Sequence, residues 1–373
     1  MVTQRKIERL EWIDVLRAIA ALGVAIFHSM PALWVGMYRS RPGSLSRFDH
    51  LVSYLSIPAH FGYAGVMLFF LVSGFVIHLP NAYGGSFDAR SYFARRFGRI
   101  YPPYAAALAL SVAVWLVLPQ VTNAHGGWIE VVKAIFMVQN YPHFGFDLPS
   151  QQPVANFALW SLPVELELYI VYPILLLWAR RSSFNRVSWV VVAISIAATV
   201  LQVGVRPGQT HLATIVAWVP TFAHYLVVWC AGAWLAQRVV DARIPKWNIG
   251  WSAIFAVSIV CSLLGREKLR LPVMIDDFLW ATTFFCLMLW ILNDFRRRDW
   301  FDRRELAPLR YIGKVSYSLY LIHLPVFIVI AGTVFARSNY ETTNFLYCIL
   351  ATLIALLVAA VFYNFVEAPS AAL

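Results

Sequence analysis

The sequence predicts an all-α, polytopic membrane protein, a single domain over residues 1–373 with about ten transmembrane helices and both termini in the cytoplasm. Hydrophobic residues make up 60% of the 373 residues, charged residues only 13%, and the mean hydropathy is +0.65. A typical soluble domain has roughly 25% charged residues. Apolar windows that approach the ~20 residues needed to cross a hydrocarbon core of ~30 Å recur along the chain. They lie at 12–30, 61–80, 101–119, 164–179, 188–204, 213–236, 248–264, 276–293, 311–334 and 344–366.

The distribution of positive charge predicts how these helices are oriented. The net charge is +11, but Lys and Arg lie in short clusters between apolar windows and not on one face of a soluble module, which argues against a nucleic-acid partner. One alternating set of connections, which includes the N-terminal tail, holds 19 of the 30 basic residues, and the other set holds nine. Because basic residues favour the cytoplasmic side of a membrane, we expect the richer set to be cytoplasmic.

Several remaining features of the chain are also consistent with membrane helices. The first window lacks the cleavage site of a signal peptide, so we expect it to stay as a helix. The four cysteines stand singly in apolar runs, which is typical of packing residues and gives no reason to expect a metal. The longest connections are 31–60 and 120–163, and both are predicted to be extracytoplasmic. Within the second, residues 128–139 have a helical pattern and either lie in the interface or re-enter the membrane.

The first window carries three ionisable residues, Asp14, Arg17 and His28. Arg17 and His28 are eleven residues apart, which on a helix returns within ~20° of the same face after a rise of ~16 Å. An ionisable group inside a membrane helix is a functional hypothesis by default. The alternatives are that Arg17 reaches to the interface and pairs with Asp14, and that His28 is a packed, hydrogen-bonded polar residue.

The second window and the segment after it add a second group of candidates. Ser73 and Gly74 lie in mid-span, where small residues also allow close helix packing. Arg95, Arg96 and Arg99 follow on the predicted cytoplasmic side. Their guanidinium groups are suited to bind phosphates, although such a cluster also fits a topological signal or contact with anionic lipid.

The fourth and ninth windows supply further polar residues. Glu165 and Tyr169 share a helix face, and we expect Glu165 to reach the depth of His28 and to orient its ring, as in an acid/base pair. Helix capping is the alternative explanation of Glu165. In the ninth window Ser316, Tyr320 and His323 share one face and form either an interhelical polar network or a wall of a reactive cavity.

Six stretches in order, spread over nearly the whole chain, resemble the acyltransferase 3 family of integral membrane acyltransferases. They are IDVLRAIAALGVAIFH, GVMLFFLVSGFVI, RRFGRIYP, WSLPVELELYIVYP, GKVSYSLYLIHLPV and FVEAPS. The resemblance implies a ten-helix protein that moves an acyl group, commonly acetyl from acetyl-CoA, onto a hydroxyl of a sugar or of another lipid-linked or small acceptor.

The resemblance also implies roles for individual residues. The family's Arg, ten residues and His in the first helix fall on Arg17 and His28, its basic motif on Arg95, Arg96 and Arg99, and its Trp-Ser-Leu-x-Val-Glu on the stretch from Trp160 to Glu165. Two positions that are commonly acidic in the family are Met67 and Leu166 here, which leaves Glu165 as the better candidate carboxylate. We therefore expect the arginines to bind acyl-CoA, His28 and Glu165 to be catalytic, with His28 as general base or acyl carrier, and five further residues to contact substrate. These five are Ser73, Trp160, Tyr169, Tyr320 and His323.

The expected partners are acyl-CoA, membrane lipid and a carbohydrate or lipid-linked acceptor, and a homo-oligomer is compatible with the sequence. We expect a stand-alone member, without a C-terminal hydrolase-like domain, in the bacterial cytoplasmic (inner) membrane. Two rival functions are a transporter or flippase, which would need no CoA, and an unrelated membrane-bound O-acyltransferase, whose catalytic residues should lie late in the chain.

Overall fold

The computed structural model describes residues 10–34, 46–119, 128–141, 156–204, 220–266, 268–294, 300–335 and 343–371. This part of the chain is helical and contains no strand. The helices labelled below are α1 (Glu11–Leu33), α2 (Gly65–Ala82), α3 (Ala89–Val117), α4 (Trp128–Ile135), α5 (Ser161–Arg181), α6 (Phe184–Gly204), α7 (Thr221–Val240), α8 (Ile249–Gly265), α9 (Val273–Leu292), α10 (Ala307–Lys314), α11 (Ser316–Ile330) and α12 (Leu346–Phe362).

Within the described ranges, eight helical segments are long and apolar enough to cross a membrane. Two of the predicted windows are occupied by α7, which is less hydrophobic, and by α8, which has 17 residues. The prediction of an all-α polytopic membrane protein is therefore confirmed. The orientation remains a prediction, and the face at which α1 begins is called the cytoplasmic face on that basis.

Helix α1 lies in the middle of the structure and contacts α2, α10, α11 and α12. Its buried residues extend around most of its circumference, whereas α6 leaves Trp189, Ile196 and Val200 exposed. Because α1 is buried by other helices on most sides, its ionisable residues face other protein groups and not lipid. Their position therefore depends on how the neighbouring helices pack.

Glycines allow the central helices to approach each other closely. A Cβ atom on Gly74 of α2 would collide with the carbonyl oxygen of Trp229 in α7, and a Cβ on Gly232 of α7 would collide with the carbonyl oxygen of Leu71 in α2. The contact is thus reciprocal, with each glycine against the backbone of the other helix. The interpretation of Gly74 as a packing residue is confirmed.

Two helices begin earlier than their apolar windows predict. Helix α3 starts at Ala89 and not near residue 101, because the Asp88 side chain accepts hydrogen bonds from the backbone N–H groups of Arg90 (3.0 Å) and Ser91 (3.3 Å). A 3₁₀ turn, Phe157–Trp160, precedes α5, so the helical segment begins at residue 157 and not at residue 164. Because both helices begin earlier, the predicted site residues on them lie at a different depth in the membrane from the depth that the windows predict.

The ninth window is divided in two, so the prediction of one helix over 311–334 is wrong. Helix α10 ends at Lys314, and α11 begins at Ser316. A Cβ atom on Gly313 would overlap the backbone carbonyl of Asp14 in α1, so α10 is pressed directly against α1 at this point. The chain then turns at Val315 to place α11 along α1.

Residues 128–135 form helix α4, which packs along α3. Its position in the interface or within the membrane stays a prediction. The Trp128 ring lies against Trp115 near the outer end of α3, with ring centroids 5.6 Å apart. Further along, the carbonyl oxygens of Ala134 and Ile135 accept hydrogen bonds from Tyr104 (2.7 Å) and Tyr101 (3.0 Å). Helix α4 thus descends antiparallel to α3. The rest of the long connection, at 120–127 and 142–155, lies outside the described residues.

Candidate active site

A cavity opens between α1, α2, α3, α5 and α11 and comprises about 820 Å³ of space free of protein atoms, part of it open to solvent. It brings together eight residues that the sequence singles out or places in a matching motif. These are Arg17, Ser73, Arg96, Arg99, Ser161, Glu165, Tyr169 and Tyr320. The remaining lining is apolar, apart from Tyr317, and comes from α2, α3 and α5. An apolar cleft with a few convergent polar groups is the usual form of a small-molecule site.

The three arginines of the cavity make no hydrogen bond to any described residue. Arg17 lies 4.0 Å from the carboxylate of Asp14, at the limit of an ion pair, and the buried Nε atom of Arg96 has no partner. The guanidinium of Arg96 is 5.9 Å from the ring centroid of Tyr169. The described lining contains one carboxylate, Glu165, and three guanidinium groups with unused hydrogen-bond donors. Such a site favours a multiply charged anion.

Glu165 is held at the wall of this cavity by two hydroxyl groups. Its Oε1 atom accepts hydrogen bonds from Ser73 Oγ (3.1 Å) and from the hydroxyl of Tyr169. Ser73 also accepts a hydrogen bond from Trp229 Nε1 (3.3 Å), which connects the cavity wall to α7. These contacts fix the carboxylate and leave Oε2 without a partner among the described residues.

Two histidines form a buried pair deeper in the protein. His28 Nδ1 lies 2.8 Å from His323 Nε2, and the two rings are parallel within 5°. His323 Nδ1 is 3.0 Å from the carbonyl oxygen of Leu319, one turn earlier in α11. The His28 side chain is 9% exposed and His323 is fully buried. The edge of Phe157 closes over His28, with ring centroids 4.8 Å apart.

Tyr320 connects the cavity to the histidine pair. It lines the cavity, and its ring centroid is 6.0 Å from that of His323. Its hydroxyl donates to the carbonyl of Ala158 (2.6 Å) and contacts Ser161 Oγ (2.6 Å), so the ring is fixed between α11 and the start of α5. Polar groups therefore run from the arginines, through Tyr320, to His323 and His28.

A comparison with protein families identifies the family of the chain. The family model described as "Acyltransferase domain" (Acyl_transf_3) matches residues 10–364, nearly the whole chain. The protein belongs to this acyltransferase family. The chain resembles "Putative peptidoglycan O-acetyltransferase YrhL" of Bacillus subtilis (strain 168), at 26% identity over 83% of this chain and 51% of the relative. It is also 24% identical to "Peptidoglycan O-acetyltransferase OatA" of Listeria monocytogenes, over 83% of this chain and 51% of the relative. The chain spans about half the length of these curated relatives, and no solved structure matches it.

The structure does not contain the predicted pair of Glu165 and His28. Phe157 lies against His28, and Glu165 is eight residues further along the same helical segment, which is a rise of ~12 Å toward the cytoplasmic face. Glu165 therefore lies with Arg17 and Arg96, not beside His28. The error in depth arose because the helical segment begins seven residues earlier than its apolar window. The residue that contacts His28 Nδ1 is His323.

Two other predicted site residues lie outside the lining of the cavity. Arg95 is exposed, although it is the immediate neighbour of Arg96. Trp160 packs against Tyr225 with ring centroids 5.7 Å apart, on the side of α5 away from the arginines. Met67, at a position that is commonly acidic in the family, is a buried core residue.

Two polar residues of the protein had no role in the sequence-based interpretation. Glu367, in the closing FVEAPS stretch, accepts hydrogen bonds from the backbone N–H (3.1 Å) and Oγ (2.5 Å) of Ser318 in α11. Asn156 donates to the carbonyl of Leu321 (2.9 Å), which Pro325 leaves without its helical N–H donor. In the sequence, the proline of LIHLPV indicates that a carbonyl group one turn earlier lacks its helical hydrogen-bond donor. No group of three metal-ligand side chains occurs in the described part of the chain.

Proposed function

We propose that the protein is an acyl-CoA-dependent O-acyltransferase that moves an acyl group, acetyl by analogy with the names of its relatives, onto a hydroxyl of a sugar, glycolipid or other envelope or extracellular acceptor. The observation that carries the proposal is a single cavity with three arginines that make no hydrogen bond to a described residue and, beyond Tyr320, the pair of His28 and His323. The first acceptors to test are peptidoglycan and related glycans. We place the protein in the bacterial cytoplasmic membrane.

Arg17, Arg96 and Arg99 are assigned to the phosphates of the donor. A guanidinium group binds phosphate oxygens through paired hydrogen bonds, and none of these three groups is hydrogen-bonded to a described residue. The unpartnered Oε2 atom of Glu165 is placed to accept an N–H from the amides of the pantetheine arm. In this proposal Glu165 binds the donor and does not orient the catalytic histidine.

His28 is assigned as the general base. It takes the proton of the acceptor hydroxyl while the hydroxyl oxygen attacks the carbonyl carbon of the thioester. A carbon–oxygen bond forms, the carbon–sulfur bond breaks, and the proton passes from His28 to the departing CoA sulfur. The rise of ~16 Å along α1 between Arg17 and His28 then corresponds to the distance that the pantetheine arm must cover. If His28 carries the acyl group first, a peptide containing His28 should gain the mass of one acyl group.

The proposal is tested with purified protein, labelled acetyl-CoA and envelope extracts, and the labelled product is identified by mass spectrometry. Replacing a general base should lower the rate ~10²–10⁴-fold, so we expect this loss for His28→Ala in protein that elutes as a single species. An unchanged rate would refute the assignment of His28. If the wild-type protein binds no CoA in a titration, the proposed function fails, and the transporter or flippase interpretation becomes the better one.

A further inference from the structure

We propose that His323 is a positioning residue that fixes the proton on Nδ1 of His28 and so makes Nε2 of His28 the basic nitrogen. The inference rests on the proposed function, because it names the atom of His28 that takes the proton. The sequence alone places His323 only on a polar face of α11 and not next to His28.

The position of the hydrogens on His28 and His323 follows from the backbone carbonyl group that contacts His323. The carbonyl oxygen of Leu319 can only accept a hydrogen bond, so His323 Nδ1, 3.0 Å away, must carry the hydrogen. A neutral imidazole with its hydrogen on Nδ1 has a lone pair on Nε2. His323 Nε2 is 2.8 Å from His28 Nδ1, so His28 Nδ1 is the donor of this hydrogen bond. The remaining nitrogen of His28, Nε2, then has a free lone pair.

The surroundings support neutral rings before the reaction. His28 is 9% exposed, His323 is fully buried, and no carboxylate within the described ranges contacts either ring. Two cationic imidazoles would present hydrogens to each other across 2.8 Å, which the observed contact does not allow. The pair thus replaces the buried carboxylate that orients a catalytic histidine in a Ser-His-Asp triad.

The same contact also serves the charged state of His28. When His28 Nε2 takes a proton, His28 Nδ1 still donates to His323, and a hydrogen bond with an ionised donor is stronger than one between neutral groups. The position of the pair does not need to change during this step. Phe157 against His28 and Phe327 against His323, with ring centroids 4.8 Å and 5.8 Å apart, keep both rings in place.

Two substitutions of His323 separate positioning from packing. His323→Gln keeps an acceptor for His28 Nδ1 and a donor for Leu319, whereas His323→Leu fills the space without either group. Because losing a general base costs ~10²–10⁴-fold and misdirecting it costs less, we expect kcat to fall ~10–10²-fold in His323→Leu and only a few-fold in His323→Gln. The Kd for CoA should be the same in both variants, since the arginine site is untouched.

Equal activity of His323→Leu and wild type, or equal loss in the Gln and Leu variants with unchanged folding, would overturn the inference. A measurement on the unsubstituted protein covers the case in which the variants fail to fold. Nitrogen NMR of ¹⁵N-histidine-labelled protein in nanodiscs should show His28 with Nδ1 protonated and Nε2 unprotonated, assigned by comparison with His28→Gln. The opposite pattern would refute the proposal. If the wild type transfers no acyl group from CoA, the proposed function fails while the NMR result still decides the protonation state.

Discussion

Arg95, Arg96 and Arg99 lie within little more than one helical turn of α3 but have different surroundings. Arg96 and Arg99 line the cavity with Arg17, whereas Arg95 lies outside its lining. Charged hydrogen bonds are worth ~1.5–3 kcal/mol, so removing one should weaken CoA binding by at least ~10-fold. We therefore expect a higher Kd for CoA in Arg96→Ala and Arg99→Ala, measured by titration calorimetry. Arg95→Ala is the matched control and should bind as the wild type does. Equal effects of all three substitutions would indicate general surface electrostatics and not a defined donor site.

The sequence predicts the grouping of these residues better than their contacts. Arg17 and His28 are correctly placed on one stripe because the pitch of a helix fixes face and rise within a single element. The contact between His28 and His323 joins residues 295 positions apart and depends on how α1 and α11 rotate against each other, which helical periodicity does not specify. Glu165 was misplaced in depth because hydropathy marks the apolar part of α5 and not the polar-flanked turn Phe157–Trp160 that precedes it.

Helices α2 and α7 pack backbone against backbone at two glycines, Gly74 and Gly232. Gly74→Ala would place a methyl group against the backbone carbonyl of Trp229, and a backbone cannot move aside as a flexible side chain can. Overpacking of this kind typically costs ~1–3 kcal/mol, which exceeds the ~1 kcal/mol that alanine gains over glycine in a helix. We expect a lower thermal unfolding midpoint for Gly74→Ala in detergent.

Gly23→Ala in α1 is the control for this prediction. Its Cβ atom would lie 3.5 Å from the nearest atom, Cα of Gly62, which is an ordinary contact. Because this substitution gains helix propensity without a clash, its unfolding midpoint should equal or exceed that of the wild type. An unchanged midpoint for Gly74→Ala would show that α2 and α7 can separate at little cost.

At the scale of the whole molecule, the sequence predicts which segments are apolar helices but not where those helices break. Hydropathy does not show that α10 stops at Lys314, next to the close contact between Gly313 and the backbone of α1. It also leaves open whether residues 128–139 lie in the interface or enter the membrane. The contacts of α4 with Tyr101 and Tyr104 place this helix against α3, which hydropathy does not predict because the contacts depend on tertiary packing.

The architecture predicts that donor and acceptor are used from opposite sides of the membrane. The arginines lie toward the face where α1 begins, and His28 lies ~16 Å further along the same helix, beyond Tyr320. Because that first face is predicted to be cytoplasmic, acyl-CoA should be used only from the cytoplasmic side, and the acylated product should form on the other side. Proteoliposomes with one known orientation test this, with labelled acetyl-CoA supplied inside or outside and acceptor supplied on the opposite side. The rate of transfer is also measured with both substrates supplied on one side. If that rate equals the rate with substrates on opposite sides, the result would contradict a path for the acyl group through the protein.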